Sequence, residues 1–270
     1  MAKTPVSLDG PRLKVERAKR HIDELRAAID AFHAEKPYSF WEDNDTKTGE
    51  NILRVKIEKC IPPIFSAMLG DIVHNLRSAL DQLVCALVKA NSRQVRRGNG
   101  FPISGTVEHF ETNSIGKIKG VEPRAERFIR RLKPYKGGNK ALWILHELDA
   151  LDKHSGIITT SGANAATVAQ IEIPIIGIGS GSISIGAVLP GQRAAVVVPA
   201  PMPRAIGALK DGMEILRAPA DFSADIDISY NVTFAETKIA DGDPVVETVI
   251  QLAEFVERVL KIADRFFINK

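Results

Sequence analysis

Apolar residues recur every three or four positions in four long stretches of the chain, and this spacing predicts amphipathic helices. The second stretch is the most apolar of the four. Proline follows the first stretch, and the segment DGDP precedes the last, which suits a helix end and a helix start. We predict helices at residues 11–36, 63–91, 139–154 and 244–268.

Alternating apolar and polar residues, the period of a half-buried strand, occur in two other regions. Residues 38–61 alternate around the turn-rich segment EDNDTKTGEN, which predicts a β-hairpin. Between residues 157 and 235, short runs of valine and isoleucine separated by glycine and proline predict antiparallel strands. The predicted class is therefore α+β: long antiparallel helices packed together, an antiparallel sheet from the C-terminal half covering one side, and a final C-terminal helix.

This pattern divides the chain at residue 156. Residues 1–156 form a mainly helical region with the hairpin inserted in it, and residues 157–270 form a β region whose final helix packs back on the body. We expect the two regions to make one compact unit. Residues 92–123 are a long connection rich in glycine, asparagine and serine, and we expect its FPI segment to lie on the core.

Composition limits the class of protein. With 44% apolar and 26% charged residues the chain is typical of folded globular proteins. No apolar run reaches the roughly 18–20 residues of a membrane span, and the N-terminus lacks the apolar segment of a secretory signal. We therefore predict no membrane association and a cytoplasmic location. We expect Cys60 and Cys85 to be small buried side chains in a reducing compartment.

Charge is distributed unevenly. Residues 89–140 hold 13 basic side chains against 4 acidic ones, although the net charge of the whole chain is only +3. This imbalance predicts a basic surface that attracts phosphate backbones, with nucleic acid as the candidate partner. We take Arg127, Arg130 and Arg131 as candidate binding residues there. An ordinary solvated surface explains the same charges, and that alternative stays open.

A narrow polar stripe crosses the second predicted helix in the segment GDIVHNLRSALDQL. On a helix with about 100° per residue, five polar side chains fall within about 60° of His74, opposite an apolar face. A solvated face usually carries lysine and glutamate, whereas histidine, arginine, aspartate and serine bond one another or hold a ligand. The stripe consists of Asp71, His74, Arg77, Ser78 and Asp81, with Asn75 beside it.

A second polar face lies on the third predicted helix, in LWILHELDALDKH. His146, Asp149 and Lys153 share this face, and Asp152 and His154 complete the DKH segment at its end. If the two helices pack side by side, their polar faces meet. This predicts one candidate cluster, composed of His74, Arg77, Asp81, His146, Asp149, Asp152, Lys153 and His154, with Asn75 and Ser78 as candidate binding residues.

Three interpretations of this cluster differ in class. A buried polar network joining two helices predicts a binding or interaction protein of unassigned role. An arginine that grips a phosphate beside an acid–base histidine predicts a metal-independent ribonuclease or RNA binder. Paired carboxylates and histidines on two helices predict a metal-dependent hydrolase. Its ligands would be Asp71, His74, His146 and Asp149. No cofactor motif is evident, so we predict no cofactor and leave open whether the protein is an enzyme.

The same residues carry a family resemblance. HNLRSALDQL, followed by FPI and LHELDALDKH, resembles a group of uncharacterised bacterial proteins that share an HNLRSALD helix and a downstream DKH motif. The resemblance covers residues 70–154 and implies a shared architecture without an activity to transfer. The helical part also resembles HEPN domains, all-helical dimers many of which are metal-independent ribonucleases with a histidine four to six residues after an arginine. That resemblance implies a homodimer. Here His74 precedes Arg77 instead.

Overall fold

The helices and the strands group into two compact units in the computed structural model of the protein. Unit 1 contains residues 1–33, 61–159 and 234–270, and unit 2 contains residues 34–60 and 160–233. The structure describes residues 6–154, 159–164, 168–172, 195–199, 206–218, 229–235, 240 and 242–268. Much of the predicted strand region, including residues 173–194, lies outside the described residues.

Unit 1 is helical. Its long helices begin and end within a few residues of the bounds that the apolar spacing predicted. A 3-10 turn at Ser114–Ile118 and a π-helical turn at Asp264–Ile268 complete the helical part. The helices are α1 (Asp9–Ala34), α2 (Ile64–Ala90), α3 (Val107–Thr112), α4 (Pro123–Arg131), α5 (Lys140–His154) and α6 (Val245–Ala263).

Helix α2 is the centre of unit 1 and contacts both α5 and α6. Its side chains Leu69, Ile72, Leu76, Leu80 and Leu83 are fully buried. Burial of each such side chain is worth about 1.5–3 kcal/mol, so this apolar face holds the bundle together. The face opposite it is polar, which leaves the stripe available for contacts outside the core.

Cross-helix contacts show that α1 runs antiparallel to both α2 and α6. Lys14 of α1 donates to Asn75 of α2 at 3.1 Å, and Gly10 lies against Gln82. Arg12 pairs with Asp264 at 2.6 Å, just after α6 ends. The predicted α+β class, with packed antiparallel helices and a C-terminal helix, is confirmed.

The connection after α2 returns to the core, as the sequence predicted for its FPI segment. Phe101 and Ile103 are 0% and 3% exposed. Ser104 then forms a bridge with Tyr135. The FPI segment is therefore a packed part of unit 1, while most residues between α2 and this segment are exposed.

Unit 2 is built from antiparallel strands. Strands β1 (Tyr38–Asn44) and β2 (Asn51–Ile57) form the predicted hairpin, with Tyr38 opposite Ile57. Strand β2 then pairs with β7 (Glu214–Ala218), giving the order β1-β2-β7. The other strands form one sheet in the order β6-β3-β8 and a β4-β5 pair: β3 (Thr159–Asn164), β4 (Val168–Glu172), β5 (Ala195–Pro199), β6 (Ile206–Ala208) and β8 (Ser229–Phe234).

The units do not follow the predicted division at residue 156. Pairing of β2 with β7 places the hairpin with the C-terminal strands, while α6 belongs to the helical unit. Both units are therefore discontinuous in sequence. Cys60 is exposed and Cys85 is half-buried, so the prediction of a buried Cys60 is wrong, because the residue lies in the connection after β2. Among the described residues, no helix combines the length and the apolarity that a membrane crossing needs.

Candidate functional site

The polar faces of α2 and α5 meet, as predicted from their helical spacing. Their approach is close near Gly70, because a Cβ atom there would collide with the carboxylate of Asp152. A glycine at this position lets the last turn of α5 lie against the backbone of α2. The meeting of these faces brings side chains more than 70 residues apart in sequence into one cluster.

One half of the cluster holds the loop that follows α2. Nη2 of Arg77 donates to the carbonyl oxygen of Phe101 at 2.8 Å and lies 3.2 Å from Oδ1 of Asp81. The same Asp81 oxygen accepts from the backbone N–H of Phe101 at 2.7 Å. Arg77 and Asp81 together satisfy both backbone groups of one residue, and we name this arrangement the loop clamp.

The loop clamp is buried around its arginine. Arg77 is only 8% exposed, and its Nη1 has no hydrogen-bond partner among the described residues. A buried donor without a partner costs about 1–3 kcal/mol, so the stabilisation from the clamp is partly offset. The main role of this half of the predicted cluster is therefore structural: it holds the loop after α2 in place.

The other half of the cluster is a dyad of His74 and Asp149 with two further neighbours. Nδ1 of His74 lies 3.5 Å from Oδ1 of Asp149, and Nε2 lies 3.4 Å from Oγ of Ser78. Nζ of Lys153 donates to the second oxygen of Asp149 at 2.5 Å. The side chain of His74 is 54% exposed while that of Asp149 is 6% exposed. We name these four residues the histidine cluster.

The pKa of His146 is influenced by charges from both halves of the cluster. Burial lowers its pKa, and the positive charges of Arg77, Lys117 and Lys153 lower it further, against the opposing charge of Asp149. The imidazole is therefore neutral at neutral pH and has a hydrogen-bond acceptor. Its ring centroid lies 5.6 Å from that of Trp143.

Asp152 completes the close contact near Gly70. Burial raises the pKa of this carboxyl group, and the negative charges of Asp149 and Asp71 raise it further, with opposition from His74 and Lys153. Three carboxylates on two helix ends therefore repel one another here. A proton on Asp152 relieves part of this repulsion.

Two predicted residues lie apart from the cluster. Asn75 is buried and faces α1, because its Oδ1 accepts from Lys14 while its Nδ2 donates to the carbonyl oxygen of Asp71 at 2.7 Å. His154 is exposed at the end of α5 and makes no hydrogen bond or ion pair within the described residues. Helical spacing placed Asn75 beside the stripe, but the packing of α1 on α2 claims its side chain.

The three candidate arginines of α4 differ. Arg130 pairs with Glu126 at 2.8 Å and with Glu111, and it lies over the ring of Phe110. Arg127 and Arg131 are exposed and have no carboxylate within ion-pair distance in the described part of the chain. Arg130 is therefore neutralised, while its two neighbours keep their charge available.

The runner-up metal set does not assemble into a site. In the described ranges, no group of three or more histidine, cysteine, aspartate or glutamate side chains is arranged to hold a metal ion. Asp149, one member of the set, already accepts from Lys153. An ammonium group next to the carboxylate disfavours a cation at the same oxygen atoms.

Sequence reasoning missed two contributors. The backbone of Phe101 holds Arg77, and Lys117 acts on His146 from the basic region. The FPI segment pointed to the role of the Phe101 backbone, because a loop that packs on the core buries backbone groups that need hydrogen-bond partners. Lys117 carried no comparable signal, because a lysine in a loop is usually solvated.

Comparisons with known proteins identify no relative of this chain. No protein-family model matches the chain, and no curated protein and no solved structure is similar to it. The resemblance of residues 70–154 to bacterial proteins with an HNLRSALD helix, and of the helical part to HEPN domains, therefore stays a prediction.

Proposed function

We propose that the protein binds an anionic polymer, with single-stranded RNA as the candidate ligand, over the basic surface of residues 89–140. The support comes from side chains that keep their charge free. Arg93, Arg96, Arg97, Arg127 and Arg131 are exposed, and none lies within ion-pair distance of a carboxylate in the part of the chain that the structure describes. Guanidinium groups without a carboxylate partner can bind phosphate oxygens through bidentate hydrogen bonds.

The observation that carries the proposal is this set of exposed arginines, and the charge of Lys117 connects the same region with His146. Lys117 belongs to the basic region, yet its charge lowers the pKa of a histidine in the α2–α5 cluster, together with Arg77 and Lys153. Charge from the basic region therefore acts on one residue of the cluster. A neutral His146 offers a bound nucleotide both a hydrogen-bond donor and an acceptor.

Charge reversal tests the proposal. Fluorescence anisotropy measures binding of a 20-nucleotide single-stranded RNA to the wild type and to the Arg127→Glu/Arg131→Glu variant. We expect the variant to lose at least about tenfold in affinity, with a shallower dependence on salt, because fewer counterions are released. The matched control is Arg20→Glu/Arg26→Glu on α1, outside the basic surface, which should change affinity less than about threefold on the same scale.

Either of two affinity results would reject RNA binding. Absence of measurable affinity at low salt is one, and an equal loss in the α1 control is the other. Binding that does not weaken with salt would also be inconsistent, since a phosphate-directed surface releases counterions.

A second candidate function is metal-independent RNA cleavage. Its specific support is the pair of an exposed His74 and a neutral His146 in a positively charged setting, since cleavage through a 2′-hydroxyl needs a base, an acid and a cation at the phosphate. Denaturing gels of the same incubations in excess EDTA test it. We expect His74→Ala to stop any cleavage without changing the affinity for RNA. Intact RNA with the wild type would reject this second function.

A further inference from the structure

His74 has a hydroxyl on one side of its ring and a carboxylate on the other. Nε2 lies 3.4 Å from Oγ of Ser78, and Nδ1 lies 3.5 Å from Oδ1 of Asp149. This is the order of groups in a Ser–His–Asp hydrolase, where the serine and the carboxylate contact opposite ring nitrogens. The contact with Ser78 is at the long end for a hydrogen bond, and the contact with Asp149 is beyond it, although catalytic hydrogen bonds are often loose without a bound substrate.

We propose that Ser78, His74 and Asp149 form a nucleophilic relay that hydrolyses a carboxylic ester, with Ser78 as the nucleophile. This activity goes beyond the binding of RNA and does not depend on it. The relay spans two helices of unit 1: Ser78 lies one turn after His74 on α2, and Asp149 comes from α5.

The unpaired oxygen of Asp149 gives the relay its direction. Asp149 is 4% exposed, its Oδ2 accepts from Lys153, and its Oδ1 has no hydrogen bond within the described residues. A buried acceptor favours a donor, and Nδ1–H of His74 is the group beside it. A proton on Nδ1 leaves the lone pair of Nε2 facing the hydroxyl of Ser78, which is what a general base needs.

Access separates this relay from another serine and histidine group in the protein. His109 also lies near two hydroxyls, with Nδ1 at 3.4 Å from Oγ of Ser104 and at 3.3 Å from Oγ of Ser114. Both of these serines are 3% exposed, so a substrate does not reach them. Ser78 is only half-buried, and its histidine is exposed.

The chemical step is balanced by the groups of the relay and one water. Oγ of Ser78 bonds to the ester carbonyl carbon while its proton moves to Nε2 of His74, and the carbonyl electron pair moves onto oxygen. When that pair returns, the bond to the alcohol oxygen breaks, and the alcohol leaves with the proton from Nε2. Water then repeats the two steps on acyl-Ser78 and releases the carboxylic acid.

Covalent labelling tests the proposal. A fluorophosphonate probe and p-nitrophenyl acetate are incubated with the full chain, and peptide mass spectrometry locates the adduct. We expect the adduct on Ser78, no labelling of Ser78→Ala, and labelling of His74→Ala slowed by at least about 100-fold. The matched control is Ser66→Ala, since Ser66 is also a half-buried serine of α2 but has proline four residues before it. It should react as the wild type does.

Asp149 is a positioning residue, and its role has a spectroscopic readout. Long-range 1H–15N spectra of neutral His74 should show the proton on Nδ1 in the wild type and a mixture of tautomers in Asp149→Asn. A residue with a purely structural role would leave the tautomer unchanged. Unlabelled wild type, an adduct elsewhere than Ser78, or equal labelling of His74→Ala in a folded variant confirmed by circular dichroism would each overturn the proposal.

Discussion

The loop clamp and the histidine cluster are built from the same kinds of residue, yet they differ in how water reaches their charges. In the loop clamp, the cation Arg77 is buried and its carboxylate Asp81 is partly exposed. In the histidine cluster, the carboxylate Asp149 is buried, while the side chains of Lys153 and His74 are about half exposed. One polar stripe therefore has a sealed half that holds a loop and an open half that is available for chemistry.

This difference follows from side-chain length and from what each group meets. The guanidinium of Arg77 reaches the backbone of Phe101, which leaves the aqueous phase when the loop packs on the core. Lys153 is the last-turn cation of α5, and its long stem lets the ammonium stay in water. We therefore expect the loop clamp, whose cation is buried, to stabilise the fold more than the histidine cluster, whose lysine is solvated.

Removal of each cation should give the largest contrast. We expect Arg77→Ala to lower the free energy of unfolding by about 2–4 kcal/mol, because it leaves the carbonyl of Phe101 and part of Asp81 without a partner. Lys153→Ala should cost less, about 1–2 kcal/mol, because its ammonium is solvated although its loss leaves Oδ2 of the buried Asp149 without a partner. Urea denaturation followed by circular dichroism measures both.

The variant Arg77→Met separates charge from packing in that experiment. It keeps an unbranched stem and removes the unpaired Nη1, so its loss should be smaller than that of Arg77→Ala. Equal losses for Arg77→Ala and Lys153→Ala would contradict the division of the stripe into a sealed and an open half.

Double-mutant cycles sharpen the same comparison at a smaller scale. The coupling of Arg77 with Asp81 should be about 1–2 kcal/mol, and that of Lys153 with Asp149 about 0.2–1 kcal/mol. The first pair shares a buried backbone partner in Phe101, whereas the second has one solvated member. A larger coupling in the Lys153 pair would show that burial of the carboxylate matters more than burial of the cation.

The smallest expected effect is on the pH dependence of stability. Because the pKa of His146 is lowered in the folded protein, the unfolded chain binds more protons as pH falls below about 6.5. Folding is therefore weakened on the acid side, and the weakening disappears above that pH. His146→Gln should reduce the fall in Tm between pH 7 and pH 5 by roughly 1–2 °C.

The exposed histidine at the end of α5 provides the control for that measurement. His154→Gln removes a histidine without the burial of His146, so its melting temperatures should follow those of the wild type across the same range. An acid-side fall that is unchanged in His146→Gln would show that the folded and unfolded states bind this proton equally.

The sequence predicted the helices and the meeting of His74 with Asp149, because a period of 3.6 residues determines which side chains share a face. Helical spacing does not show which neighbouring helix a side chain contacts. It placed Asn75 next to the stripe, although α1 takes its side chain through Lys14.

The division into units was beyond the reach of local patterns. Strand β2 pairs with a segment about 160 residues later, and nothing in the alternation of either strand specifies its partner. The loop clamp depends likewise on where the backbone of Phe101 returns to α2. Hydrophobic periodicity identifies elements, whereas the partners of edge strands and buried charges are decided by long-range packing.

Gly70 has only a hydrogen atom in place of a side chain, and this allows the close approach of α2 and α5. A methyl group there would act as a wedge against Asp152, at a point remote from Ser78 by two helical turns. Alanine there would displace the flexible carboxylate of Asp152, and larger residues would also press on the last turn of α5, with every polar atom of the histidine cluster chemically intact. Natural variation at this position would be expected to tune how far apart the reacting groups stand.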